Sequence, residues 1–321
     1  MPSLIPLSHS ATGAAPTDAS DLPAGRVWTP ASDTSRARGG AAAAPGAKNL
    51  LPHLALIPAD RIQGPVDTCW VWAATAVTEI ALDVQEGVRD RLSIEYFDAT
   101  YSDGSGAGWA GDRGWVTDYA AHLSAHPVLV PWSNANASYR DGTQWCGENG
   151  RAAVPASAIA TDPHYTVIRC DSRSVPTWRV GTVEAVANVR AELDADRALF
   201  VGFTLPNATA RIAFQKFWAN DNESDVWDPS PWLAADEDGA AFSHAVTCVG
   251  YDARDPDNGY WIMLNSWGTA DGRRPSGTFR MRMDLDYDLP VYHDHPDGSA
   301  IAFEALAIEF ADPPLRTVDA A

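Results

Sequence analysis

Lysine is nearly missing from this chain: Lys48 and Lys216 are the only two in 321 residues. Arginine raises the basic total to 23, against 42 aspartates and glutamates, for a formal charge of −19. So acidic a surface repels phosphate backbones and anionic lipid headgroups, which argues against nucleic acid or a membrane as partner. Aspartate outnumbers glutamate, a bias that genome composition and adaptation to salt explain equally well. Cysteine is scarce too. The four, at 69, 146, 170 and 248, are too few and too scattered for a disulfide-dense scaffold or a zinc site built on CxxC pairs. Neither metal nor other cofactor is expected. No run reaches the ~20 consecutive apolar residues that a membrane-crossing helix needs. The opening Met1-Pro2-Ser3-Leu4-Ile5 lacks the basic and apolar regions of a secretory signal. The compartment stays undecided, the cytoplasm slightly ahead of export.

What is present falls into two parts. Residues 1–48 are rich in Ala, Gly, Pro, Ser and Thr and include the run Gly39-Gly40-Ala41-Ala42-Ala43-Ala44-Pro45-Gly46. Such a segment buries too little apolar surface to offset its ordering entropy, so a disordered or extended arm is expected. From residue 49 to 321 a folded unit is expected, its patterned region ending near Phe310. Residues about 60–130 would form a helical lobe and about 131–310 a β-rich lobe.

Trp70, Ala73, Val77, Ile80 and Val84 recur at helical spacing, with Thr68 placed to cap the start and Gly87 at the C′ position. Helices are also predicted over Gly114 to Ala125, stopped by Pro127, and Thr182 to Leu193. Strands follow at Leu199–Leu205, His244–Tyr251, Tyr260–Asn265, Thr278–Met283 and Ile301–Phe310. Helices first and strands after suggest an α+β protein, a helical lobe beside an antiparallel sheet.

The chemistry concentrates in three places. In Gln63-Gly64-Pro65-Val66-Asp67-Thr68-Cys69-Trp70 a cysteine enters the first turn of the long helix, where backbone N–H groups and the helix dipole favour a thiolate. Taken alone, Cys69 reads more readily as a small buried hydrophobe. The segment Ser243-His244-Ala245-Val246-Thr247-Cys248-Val249-Gly250-Tyr251 is a strand that opens on a histidine. Tyr260 to Gly268 is a second strand running into Asn265-Ser266-Trp267-Gly268. A hairpin across Asp252 to Asn258 would bring His244 and Asn265 together. The asparagine oxygen would then orient the imidazole as the third member of a triad does.

Together these segments resemble the papain family of cysteine peptidases. Gln63, with five residues between it and Cys69-Trp70, is similar to the family's oxyanion glutamine and nucleophile. His-Ala-Val with Val-Gly-Tyr is similar to its histidine strand, and Asn265-Ser266-Trp267-Gly268 to its asparagine motif. Leu92-Ser93-Ile94-Glu95-Tyr96 is similar to a Leu-Ser-Glu-Gln stretch, and Gly111 to Trp115 to the glycine-rich wall of the cleft. The resemblance implies a two-lobe fold with the active site in the cleft between a helical left lobe and a β-barrel-like right lobe. It implies Gln63, Cys69, His244 and Asn265 as catalytic residues, and a peptide or protein as substrate. Gly111, Gly114, Phe242 and Trp267 would contact it, with Trp267 also covering the His244–Asn265 bond.

Some features depart from the pattern. Val66-Asp67-Thr68 replaces the family's Cys-Gly-Ser, removing a disulfide and placing a carboxylate near the thiol, which raises its pKa. Asp271 stands where a second tryptophan is common, so leaving-group-side binding is expected to differ. The Cys69 to His244 interval exceeds the roughly 130 residues of the family signature. Insertions are expected at Asn134–Trp178 and Asn207–Gly239, the aromatic clusters of the second packing on the core rather than forming a lid. Whether Cys146 and Cys170 pair is open, since spacing carries no geometry. No long amphipathic helix precedes the folded unit, so the family's helical inhibitory prodomain is expected to be missing. Two other functions remain: a catalytically weak binding module in which Asp67 and Asp271 spoil the site, and a Cys-His acyltransferase, a class that generally uses aspartate where Asn265 stands.

Overall fold

A computed structural model describes residues 46–101, 114–140, 154–235, 241–292 and 295–316. Gly111 and Cys146 lie outside them. In chain order the elements are β1 (Ala47–Asn49), α1 (Cys69–Glu86), α2 (Ile94–Thr100), α3 (Val116–Ala125), β2 (Val128–Leu129), β3 (His164–Ser174), α4 (Thr182–Asp194), β4 (Leu199–Leu205), α5 (Ala208–Asn220), β5 (Val226–Trp227), α6 (Ser230–Leu233), β6 (Phe242–Asp252), β7 (Tyr260–Leu264), β8 (Thr278–Arg282), β9 (Pro290–Tyr292), β10 (His295–Ser299) and β11 (Ile301–Arg316).

Helix α1 is the central rod of the helical part, and Trp70, Ala73, Val77 and Ile80 are all buried. Gly87 ends it in the left-handed region at φ 69°, its N–H bonded to Asp83 O at 2.9 Å. The expected cap at the other end does not form: the Thr68 side chain makes no capping bond. Its hydroxyl is buried within the protein without satisfying the N–H groups of the helix start. Helix α2 is capped by Ser93, whose Oγ accepts from Tyr96 N at 2.9 Å. In α3, Asp118 accepts from the backbone of Trp115 at 2.7 Å.

Nine of the strands form one sheet, β2-β3-β11-β4-β6-β7-β8-β5, antiparallel except for β5 against β8, with β1 on the far half of β6. The two-stranded β9–β10 stands apart from it. Strand β6 is central and buried from His244 to Tyr251, so it reads as a nearly continuous apolar run. It pairs antiparallel with β4, Phe203 facing His244, and with β7, Thr247 facing Leu264. A bulge at Val249 shifts the β6–β7 register by one, which changes which side chains share a face toward the open end of the hairpin. This is the α+β architecture that the order of helices and strands suggests.

One boundary moves. Ala47 and Lys48, assigned by composition to the arm, pair with Asp252 and Tyr251. The close approach is possible because residue 250 is glycine: a Cβ there would lie 2.2 Å from Lys48 O. The segments expected as insertions are built into the sheet and core. Strand β3 lies in the first and pairs with β11 over most of its length. In the second, α5 buries Phe214, Phe217 and Trp218, so the aromatic cluster packs inward. Arg274 clamps the end of α5, donating to Trp218 O at 2.9 Å and Phe217 O at 2.8 Å while stacking on both rings. A cation at a helix C-terminus satisfies orphan carbonyls and the dipole together.

Helix α3 meets the sheet through Trp115, whose ring lies over Gly202 of β4. A Cβ on residue 202 would fall 1.9 Å from Trp115 Cη2. Gly202→Ala should therefore cost about 1–3 kcal/mol through overpacking and lower the melting temperature by roughly 3–10 °C. Thermal denaturation measures it, and an unchanged midpoint would mean the indole moves aside freely.

Candidate active site

Helix α1 and strand β6 are locked in register by two contacts. The backbone N–H of Ala245 bonds toward the Cys69 sulfur, and Thr247 Oγ1 donates to Ala73 O at 3.0 Å. Four residues along a helix advance about 6.0 Å, and two along a strand about 6.6 Å. The two elements therefore run level, and the first residue of the helix is set beside the strand residue that follows His244. The N–H groups of Cys69 and Trp70 also bond toward the sulfur, as a helix start allows. Cys69 is half-buried, whereas Cys170 and Cys248 are buried free thiols.

The hairpin brings His244 and Asn265 together. His244 Nε2 lies 2.8 Å from Asn265 Oδ1. The same Oδ1 accepts from the backbone N–H of Ser266 at 2.8 Å. A backbone N–H only donates, so this atom is the amide oxygen and Nε2 must carry a proton. The neutral imidazole is then the Nε2–H tautomer, with the lone pair on Nδ1. The ring is enclosed by aromatics: Trp267 with centroids 4.6 Å apart, Phe203 at 5.7 Å, Phe242 at 5.8 Å and Phe214 at 6.1 Å. Phe242 stacks on the imidazole and is half-buried.

Gln63 is buried and fixed at both ends of its amide. Its Nε2 donates to Val66 O at 2.8 Å, and Ser266 Oγ donates to its Oε1 at 2.7 Å. Its own N–H bonds to Ser266 O at 2.9 Å, and Tyr139 Oη donates to its carbonyl at 2.7 Å. One Nε2 hydrogen is used on Val66, which leaves the second for a ligand. Gly114 serves packing: a Cβ there would stand 2.6 Å from the Trp70 ring.

Sequence reasoning passed over three of these contributors. Ser266 lies inside the Asn-Ser-Trp-Gly motif, but only the fold shows it holding Gln63. Tyr139 carried no signal. Phe214 belonged to a visible aromatic cluster whose contact with His244 is purely tertiary.

Burial dominates the electrostatics. It pushes the Cys69 thiol up to about 12, helped by the charge of Asp67 and opposed by the Ala245 N–H. It pulls the His244 imidazole down to about 4, opposed by the bond to Asn265. Burial thus disfavours the charged form of each of the two groups taken singly.

A family model described as papain family cysteine protease matches residues 230–293, a span that includes His244 and Asn265. Macrodontain-1 of Ananas macrodontes is 26% identical over 226 residues, 70% of this chain and 83% of that protein. Cysteine endopeptidase Rep1 of Oryza sativa subsp. japonica is 34% identical over 116 residues, 34% of this chain and 30% of that one. Among solved structures, the proform of Amb a 11, a ragweed pollen cysteine protease, superposes with a TM-score of 0.51 at 15% identity, covering 85% of this chain and 68% of its own. The fold is that of the thiol proteases, a helical part set against an antiparallel sheet. The chain is similar to papain family cysteine proteases over residues 230–293 and shares their fold. Nothing in these relatives supports the expected preference for the cytoplasm; among the described residues no helix is long and apolar enough to cross a membrane.

The low imidazole value gives a direct test. With its thiol partner removed in Cys69→Ala, His244 should titrate near pH 4 rather than near 6.5, as followed by the ring C–H resonances. Between those values the unfolded chain binds a proton that the folded chain refuses, so stability should fall as pH falls from 6.5 to 4. Adding His244→Phe should remove that share of the acid sensitivity. A midpoint at 6.5 would show that the ring is solvated.

Proposed function

We propose that this chain hydrolyses peptide bonds of peptide or protein substrates, with Cys69 as nucleophile, His244 as its proton partner, Asn265 as the orienting residue and Gln63 as the oxyanion donor. The observation that carries this reading is the His244–Asn265 hydrogen bond, which leaves Nδ1 as the basic nitrogen on the strand whose next N–H meets the thiol. The proton moves from Cys69 Sγ to His244 Nδ1, giving the charged pair. The thiolate attacks the scissile carbonyl, and the developing oxyanion takes hydrogen bonds from the free Nε2 hydrogen of Gln63 and from the Cys69 N–H. The imidazolium then protonates the leaving amine, and the acyl-enzyme forms. Water, giving its proton to Nδ1, attacks the thioester carbonyl; collapse of that intermediate returns the proton to sulfur and frees the acid.

Gly114, Phe242 and Trp267, together with Gly111, are proposed to contact the substrate. The half-buried ring of Phe242 beside His244 supports an apolar preference in the adjoining pocket. The described unit, continuous in its core from Leu50 to Phe310, supports a single peptidase domain, and the composition of the segment before it supports an arm.

Cys69→Ala should abolish turnover of an unstructured protein substrate while the fold persists, and a haloacetamide should label Cys69 well before the buried Cys170 and Cys248. Gln63→Ala should lower kcat roughly 100- to 1000-fold. Its alkylation rate should stay near wild type, because alkylation forms no oxyanion. Asn265→Ala should retain partial activity. Steady-state kinetics and mass spectrometry read these outcomes; full turnover by Cys69→Ala would rule the site out.

A further inference from the structure

Ile62 is an apolar side chain left in solvent beside this centre, 43% exposed. Single exposed apolar residues are ordinary. Ile57, Ile168, Val183, Ile212 and Val226 are more exposed still, but none of them is next in the chain to a candidate site residue. Ile62 instead directly precedes Gln63 and forms an isolated antiparallel bridge with Trp267. Side chains of directly opposed residues project on the same side, with Cβ atoms about 4.5–5.5 Å apart. Ile62 and the half-buried Trp267 therefore make one surface. It is firmly held: Gln63 N bonds to Ser266 O at 2.9 Å and Gly268 N to Arg61 O at 2.8 Å. Gly268, at φ +70°, leaves room for the isoleucine, since a Cβ there would lie 3.2 Å from Ile62 Cγ1.

The chemistry says which part of a substrate meets this surface. His244 protonates the departing amine, and the Trp267 ring lies 4.6 Å from the imidazole. The residue bearing that nitrogen must leave along the His244–Trp267 side, which brings its side chain to Ile62. Resting on the catalytic assignment above, we propose that Ile62 is a specificity-determining residue: with the exposed part of Trp267 it selects a large aliphatic or aromatic side chain immediately after the scissile bond.

Internally quenched peptides that differ only at that residue, carrying Leu, Phe, Gly or Lys, test this. The wild-type enzyme should cleave the Leu and Phe peptides with kcat/KM about tenfold above the Gly peptide, within the range expected when an apolar pocket gains a few methylenes. Ile62→Ser should bring the ratio to within about twofold, and Ile62→Glu should turn the preference from Leu to Lys, a gain that misfolding cannot produce. Equal wild-type rates for Leu and Gly overturn the role of Ile62, as does a Leu preference undiminished in both variants. Hydrolysis of none of the peptides by the wild-type enzyme would instead overturn the catalytic assignment, and this inference with it.

Discussion

The hydroxyl of Thr247 on the carbonyl of Ala73 is the contact by which the site keeps its alignment. It ties the middle of α1 to the middle of β6, and because both elements advance by nearly the same distance from there, Cys69 and Ala245 are brought level. A helix start has donors to offer a sulfur, but it supplies no base. His244 stands on a strand some 175 residues later in the chain, so helix-on-strand register brings two unrelated segments together. The whole contact is buried, Thr247 fully so, and water cannot substitute for it.

Around that axis the sheet and the second half of the chain build a dry wall. Phe203 from β4, Phe214 from α5 and Trp267 from the loop after β7 surround the imidazole, and α5 is held in place by the buried guanidinium of Arg274. That guanidinium has three backbone carbonyls as partners, so its desolvation is offset by charge-assisted hydrogen bonds at a helix end. The aromatic wall in turn is why the histidine resists protonation alone. Dryness and pairing are two aspects of one arrangement: excluding water raises the cost of each single charge and strengthens the attraction between the two.

Ser266 connects the two halves of the site. Its N–H fixes the oxygen of Asn265, its carbonyl takes the N–H of Gln63, and its hydroxyl holds the Gln63 amide. One residue thereby couples the orientation of His244, through Asn265, to that of the Gln63 amide. Asp67, by contrast, works against the thiolate through its charge, and the three N–H groups bonded toward the sulfur oppose it.

By itself the sequence determined the long helix from its apolar period and terminal glycine, the five strands from their composition, the hairpin from its turn, and the order Gln63, Cys69, His244, Asn265. Those are local signals, carried by periodicity and short motifs. It misread the Thr68 cap, because a hydroxyl that packing buries is lost to the helix end. It placed the arm two residues too far, since the pairing of Ala47 and Lys48 depends on a glycine two hundred residues away. Only the tertiary structure decided the tautomer of His244, the clamp on Gln63, the enclosure by Phe203 and Phe214, and the surface shared by Ile62 and Trp267. Each of these is a contact between residues distant in the chain, and such contacts exist only once helix and sheet have been packed together.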